Sequence, residues 1–147
     1  MRLDPDVAQN ALRNGVLAAR AGLSLQAVLY FQTALLYTPA LVDAHYNQAL
    51  VFEQLGWTPA AIQGYLATLR HDPGHADAHN NLGILLAETN RLDAAIEHFL
   101  AAVRARPQDA EVRLNLARAY DAKGLAKEAA QQRALAALAG GKLTPAR

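Results

Sequence analysis

Histidines offer the first candidate chemistry. His71, His75 and His79 recur every four residues, the interval that puts imidazoles on one helical face and lets them share a divalent metal. Pro73-Gly74 lies between the first two, and proline followed by glycine interrupts a helix. The three therefore straddle a turn, and no metal site is expected. The chain has no cysteine, which removes thiolate catalysis and zinc sites built on sulfur. No Ser/His/Asp ordering, glycine-rich phosphate loop or paired-carboxylate pocket stands out, so neither catalysis nor a cofactor is expected. Trp57, which follows Gly56, reads as a local packing residue. What remains is amide chemistry. Asn47, Asn81 and Asn115 stand at steps of 34 residues, and a side-chain amide offers both a donor and an acceptor to an extended peptide backbone.

The same step runs through the whole chain. Pro39, Pro73 and Pro107 follow it, as do Ala27, Ala61, Ala95 and Ala129, and the aromatics Phe31, Tyr65 and Phe99. Gly22, Gly56, Asn90 and Gly124, each a turn former, keep it too. Small, aromatic, turn and proline positions in one register define four units, 8–41, 42–75, 76–109 and 110–143, without insertion or deletion. A fixed period of this length is the mark of a solenoid, whose units stack because none can bury its own apolar face.

Composition gives the class of element. Of 147 residues, 33 are Ala and 24 Leu, against ten Ile and Val together, a balance that favours helix over strand. Within the third unit, Leu82, Leu85 and Leu86 precede the break at Asn90-Arg91, and Ala95, Ile96, Phe99, Ala102 and Val103 follow at helical spacing. Pro107 then forbids continuation. The pattern predicts eight antiparallel helices near 5–20, 24–37, 41–55, 58–71, 75–89, 92–105, 109–123 and 125–139. Asp4-Pro5, Ser24 and Thr58-Pro59 are the expected helix N-caps. A single domain over 1–139 with a frayed tail over 140–147 is the expected organisation.

With these landmarks the chain resembles the tetratricopeptide repeat (TPR) family. The small residue of each first helix appears as Gly15, Ala49, Gly83 and Ala117; the early tryptophan is replaced by Ala11, His45, His79 and Arg113. The resemblance implies an all-α solenoid, a right-handed superhelix of helix pairs, with a concave groove lined by the first helices. Carried over by position, the groove-lining residues are Arg13, Asp43, Tyr46, Asn47, Leu50, Asp77, Asn80, Asn81, Ile84, Glu111, Leu114, Asn115 and Arg118. Together with Arg20, Glu53, Glu88 and Asp121, the lining carries six carboxylates and three arginines. It is therefore expected to prefer a basic or extended segment of a protein partner. The family's carboxylate clamp for chaperone tails would fall at Leu12, Val16, Asn47, Asp77 and Asn81, where only Asn47 suits it.

Fourteen basic against thirteen acidic residues leave a charge of +1, which recommends neither nucleic acid nor an anionic membrane as partner. Met1-Arg2-Leu3-Asp4-Pro5-Asp6 lacks the basic and apolar regions of a signal peptide, so a cytoplasmic location is expected. The sequence thus supports a non-enzymatic adaptor that binds a peptide in its groove. A self-assembling scaffold, pairing copies through repeat ends or groove, is the alternative. Arg133, where other units have an aromatic, is expected to cap the array against water.

Overall fold

The computed structural model describes residues 5–140. Eight α-helices follow one another: α1 Pro5–Arg20, α2 Ser24–Tyr37, α3 Val42–Gln54, α4 Thr58–His71, α5 Ala76–Glu88, α6 Leu92–Ala105, α7 Ala110–Ala122 and α8 Ala126–Gly140. Each lies within about one residue of its expected place. No strand occurs among the described residues. The chain groups into two compact units, Met1–Pro73 and Gly74–Arg147. Each contains two antiparallel helix pairs, α1–α2 with α3–α4 and α5–α6 with α7–α8. The tail after Gly140 and the expected Asp4 cap lie outside the described residues.

The turn inside each pair is one motif used four times. Gly22, Gly56, Asn90 and Gly124 have φ of 76°, 72°, 60° and 80°, the left-handed region where glycine and asparagine are tolerated best. The residue after each donates its N–H back to a carbonyl five residues earlier: Leu23 to Ala18, Trp57 to Phe52, Arg91 to Leu86 and Leu125 to Tyr120, all at 2.8–2.9 Å. The turn residues donate to Ala19, Glu53, Ala87 and Asp121. These two bonds satisfy carbonyls that a helix end leaves orphaned. The same turn corrects the cap assignment. Leu23 and Trp57 are the N-caps of α2 and α4 and make no side-chain cap bond, while Ser24 and Thr58 are already helical. The turn delivers the chain straight into the next helix, leaving no residue for a hydroxyl cap. Side-chain caps occur instead between pairs, where His75 Nδ1 accepts from the Ala78 amide and Asp109 Oδ1 from those of Glu111 and Val112.

The expected close approach within each pair is present. A Cβ on Gly15 would sit 2.5 Å from Phe31 Cε1, and one on Gly83 would sit 2.7 Å from Phe99 Cε1. In the second pair the small residues meet each other: a Cβ on Gly64 would fall 2.7 Å from the Ala49 Cβ. Ala27, Ala61, Ala95 and Ala129 are wholly buried. In the first unit the two pairs are joined by apolar packing, with Val51 of α3 entering a cluster with Ala18, Ala27, Val28 and Phe31. Arg133 forms an ion pair with Asp121 within the last pair.

Candidate functional site

The slot left by the missing tryptophan is polar in three of the four pairs. His45 stacks on His71 with ring centroids 5.5 Å apart, and its Nε2 lies 2.8 Å from the Pro39 carbonyl. Arg113 donates to the equivalent Pro107 carbonyl and to Gln132 Oε1. His79 and His98 meet with their Nδ1 atoms 2.9 Å apart. The three histidines at four-residue spacing therefore each have a local partner: His71 a stacked ring, His75 a helix cap and His79 a second imidazole. No cluster of three or more metal-ligating side chains occurs among the described residues. Burial, then the charge of His79, holds His98 below the ordinary imidazole value of 6.5, with Glu97 acting in the opposite direction. Trp57 stacks on Phe52 at 5.8 Å, a local contact that leaves it 47% exposed.

The expected groove residues of the first unit differ in exposure and in partners. Arg13 and Asp43 are exposed, and Tyr46 tilts against the buried Tyr65 at 5.9 Å. Asn47 Nδ2 donates to the Asp43 carbonyl at 2.7 Å, which engages its donor within its own helix. Leu50 is half-buried. Glu53 accepts the Tyr65 hydroxyl at 2.6 Å.

In the second unit they converge. Ile84, Glu111, Asn115 and Arg118 line a cleft of about 420 Å³, closed by Ala87, Glu88, Leu92, Phe99, Ala119 and Ala122. α5 and α7 supply its walls, while the start of α6 and the Phe99 ring supply an apolar floor. Asn115 is buried, 8% exposed. Its Nδ2 donates to Asn80 Oδ1 at 3.0 Å, and its Oδ1 accepts from Arg118 Nη1 at 3.0 Å. Asn80 Nδ2 lies 3.5 Å from Asn81 Oδ1, a weak contact. Asn115 thus spends both halves of its amide inside the protein, because a buried polar group must be paired. Its effect at the surface is to hold Arg118 on the rim.

The carboxylates divide into engaged and available. Asp77 is held by Arg106 in a two-point ion pair of 2.6 and 2.8 Å, and Asp121 by Arg133. Charge counting over the first helices missed both, because the cations come from α8 and the residue that ends α6. Glu88 and Glu111 have no side-chain hydrogen bond or ion pair among the described residues. The rim of the cleft therefore presents two free carboxylates and one fixed guanidinium above an apolar floor. Leu114, 39% exposed, was expected in the groove and does not line this cleft. Leu92 and Phe99 escaped the sequence reading because they belong to a second helix, and the aromatic recurrence at Phe99 signals only core.

Comparison with known proteins follows the same architecture. The tetratricopeptide repeat profile matches residues 58–110 and 94–145, together more than half of the chain. A search of curated protein sequences gives no match. A crystal structure of MamA superposes with a TM-score of 0.86 at 22% identity, covering 92% of this chain and 80% of that one. MamA from Desulfovibrio magneticus RS-1, residue 41 to its end, gives 0.81 at 22% identity, covering 94% and 76%. MamA of AMB-1 gives 0.81 at 22%, covering 96% and 79%. At such identity these likenesses establish the fold, and they point to no enzyme family. The period, the repeated left-handed turns and the profile match together make this chain a member of the tetratricopeptide repeat family.

Proposed function

We propose that the chain is a non-enzymatic adaptor whose second unit binds an extended peptide segment carrying a basic residue next to an apolar one. The observation that supports this is the pairing of unengaged Glu88 and Glu111 with an apolar floor in one cleft. An apolar side chain would fill the floor over Ile84, Leu92 and Phe99, and a neighbouring lysine or arginine would meet the carboxylates. Arg118 would donate to a backbone carbonyl or a carboxylate of the same segment. Apolar burial supplies affinity here, and the charged rim supplies selectivity and on-rate.

Fluorescence anisotropy with a panel of labelled peptides tests the reading. Peptides holding a leucine or phenylalanine beside lysine should bind more tightly than their glutamate counterparts, and added salt should narrow the gap. Equal binding of both sets, or preference for the acidic set, would sink it. Glu88→Lys and Glu111→Lys are the appropriate variants. Asp77→Lys is not, since it breaks the Arg106 ion pair.

A further inference from the structure

The outer face of α2 differs from that of every other second helix. Leu25, Leu29 and Leu36 are 62%, 63% and 70% exposed. At about 100° per residue these three positions, with Gln32 between them, fall within one narrow strip of the helix. The same slots carry Pro59, Gln63 and Arg70 in α4, and Asp93, Glu97 and Arg104 in α6. All six of those are exposed as well, so the slot is a solvent-facing one that the first repeat alone fills with leucine three times. α2 also contains no charged residue from Ser24 to Tyr37.

Two features of this face say what it fits. An uncharged helix offers nothing for a charged partner to recognise, and nothing that repels a copy of itself. It is also shaped as a knob at one end and a hollow at the other. Leu36 projects near the C-terminus of α2, and a depression of about 390 Å³ formed by Gly22, Leu23, Ser24, Leu25, Gln26 and Leu55 lies at its N-terminus. A two-fold axis near the middle of the strip would place each Leu36 in the hollow beside Leu25 of the other copy, and Leu29 against Gln32 of the other copy. Antiparallel pairing also opposes the two helix dipoles, which no charged end residue of α2 offsets. We infer that this leucine face is a self-association surface and that two copies of the chain pair through antiparallel α2 helices.

One helix face is a small interface, so association should be weak, with a dissociation constant on the order of 10–100 µM. Sedimentation equilibrium from about 1 to about 300 µM should show a monomer passing to a dimer and no further. Leu29→Glu, near the axis, should weaken the dimer at least about tenfold, with an unchanged melting curve because the side chain is exposed. Leu36→Lys at the strip's end is a second variant should the first lose its fold, and it should weaken the dimer likewise. Because the chain has no cysteine, single cysteines report geometry. Gln32→Cys should cross-link on mild oxidation. Leu25→Cys should not, since an antiparallel pair sets those positions about 16 Å apart along the axis, yet it should cross-link when mixed with Leu36→Cys. A monomer throughout the range, a dimer indifferent to both Leu29→Glu and Leu36→Lys, or assembly beyond two would each overturn the inference. So would equal cross-linking by Leu25→Cys alone, and so would Leu29-dependent binding to phosphatidylcholine vesicles without dimerisation. None of these outcomes involves the cleft of the second unit, so this inference and the peptide reading stand or fall separately.

Discussion

The two compact units share one plan and diverge most clearly at side chains that meet water. Several core residues two repeats apart are the same: Gly15 and Gly83, Ala27 and Ala95, Phe31 and Phe99. Outside the core the pairs separate. Arg20 answers to Glu88, Leu50 to Arg118, and Leu25, Leu29 and Leu36 to Asp93, Glu97 and Arg104. Even an identical residue changes work. Asn47 bonds to its own helix, whereas Asn115 is buried and joins Asn80 to Arg118. Packing thus fixes a small set of slots, and the remainder is free to give one unit an apolar outer helix and the other an acid-rimmed cleft. The exposed slots, laid on a repeated frame, are thus where the two units differ most in the chemistry they offer.

The sharpest test of the common frame is also the largest effect. Gly15→Val and Gly83→Val each drive a side chain into the ring of Phe31 or Phe99, with the first added carbon already inside 3 Å. Both should destabilise by about 3 kcal/mol or more, and by similar amounts, as seen in denaturant midpoints. Ala95→Trp, at a wholly buried helix contact, belongs to the same class. A large disparity between the two glycine variants would show that the units are not mechanically equivalent.

The next effect separates the two asparagines. Asn115→Ala leaves the Asn80 oxygen without its donor and Arg118 without its acceptor, and should cost about 1–2 kcal/mol. Asn47→Ala removes one bond within a helix and gains the better helix former, so it should change stability by less than about 0.5 kcal/mol. Equal melting shifts for the two would erase the contrast drawn above. Smaller again is the charge reversal at the cleft. Glu88→Lys with Glu111→Lys should weaken binding of a lysine-containing peptide by about 1 kcal/mol at low salt. Glu97→Lys, on the outer face, should leave binding unchanged.

How far these features could be read in advance follows from which forces set them. The 34-residue landmarks fix helix number and register because every buried slot and every left-handed turn constrains residue type; Gly22, Gly56, Asn90 and Gly124 are legible for that reason. The caps were placed one residue late because the turn geometry, not a hydroxyl, starts α2 and α4. Position along a helix predicts which side chains share a face, but not that Arg106 reaches Asp77 across 29 residues of chain. Arg133, expected to meet water, is exposed and is also the counter-ion of Asp121. Long cations range too far for spacing rules, which rest on neighbours three or four residues apart.

The smallest expected effect is a pH dependence centred on α5 and α6. His79 and His98 face each other across these helices with their Nδ1 atoms 2.9 Å apart, so the neutral pair shares one hydrogen between two acceptors. Protonating His98 meets burial first and then the charge of His79, while Glu97 only partly favours it; its pKa is accordingly lowered from 6.5. The unfolded chain takes up this proton near pH 6.5, and the folded chain takes it up only at lower pH. Between those limits the unfolded state binds more protons, so stability must fall as pH drops below about 6.5. His98→Gln, which offers an amide donor and acceptor but no titration, should flatten this slope in melts between about pH 7.5 and 5.5. Hydrogen exchange localises the effect: α5 and α6 should lose protection on acidification, while α1 and α2, whose sequence holds no histidine, should not. An unaltered slope in His98→Gln would place the acid sensitivity outside this histidine pair.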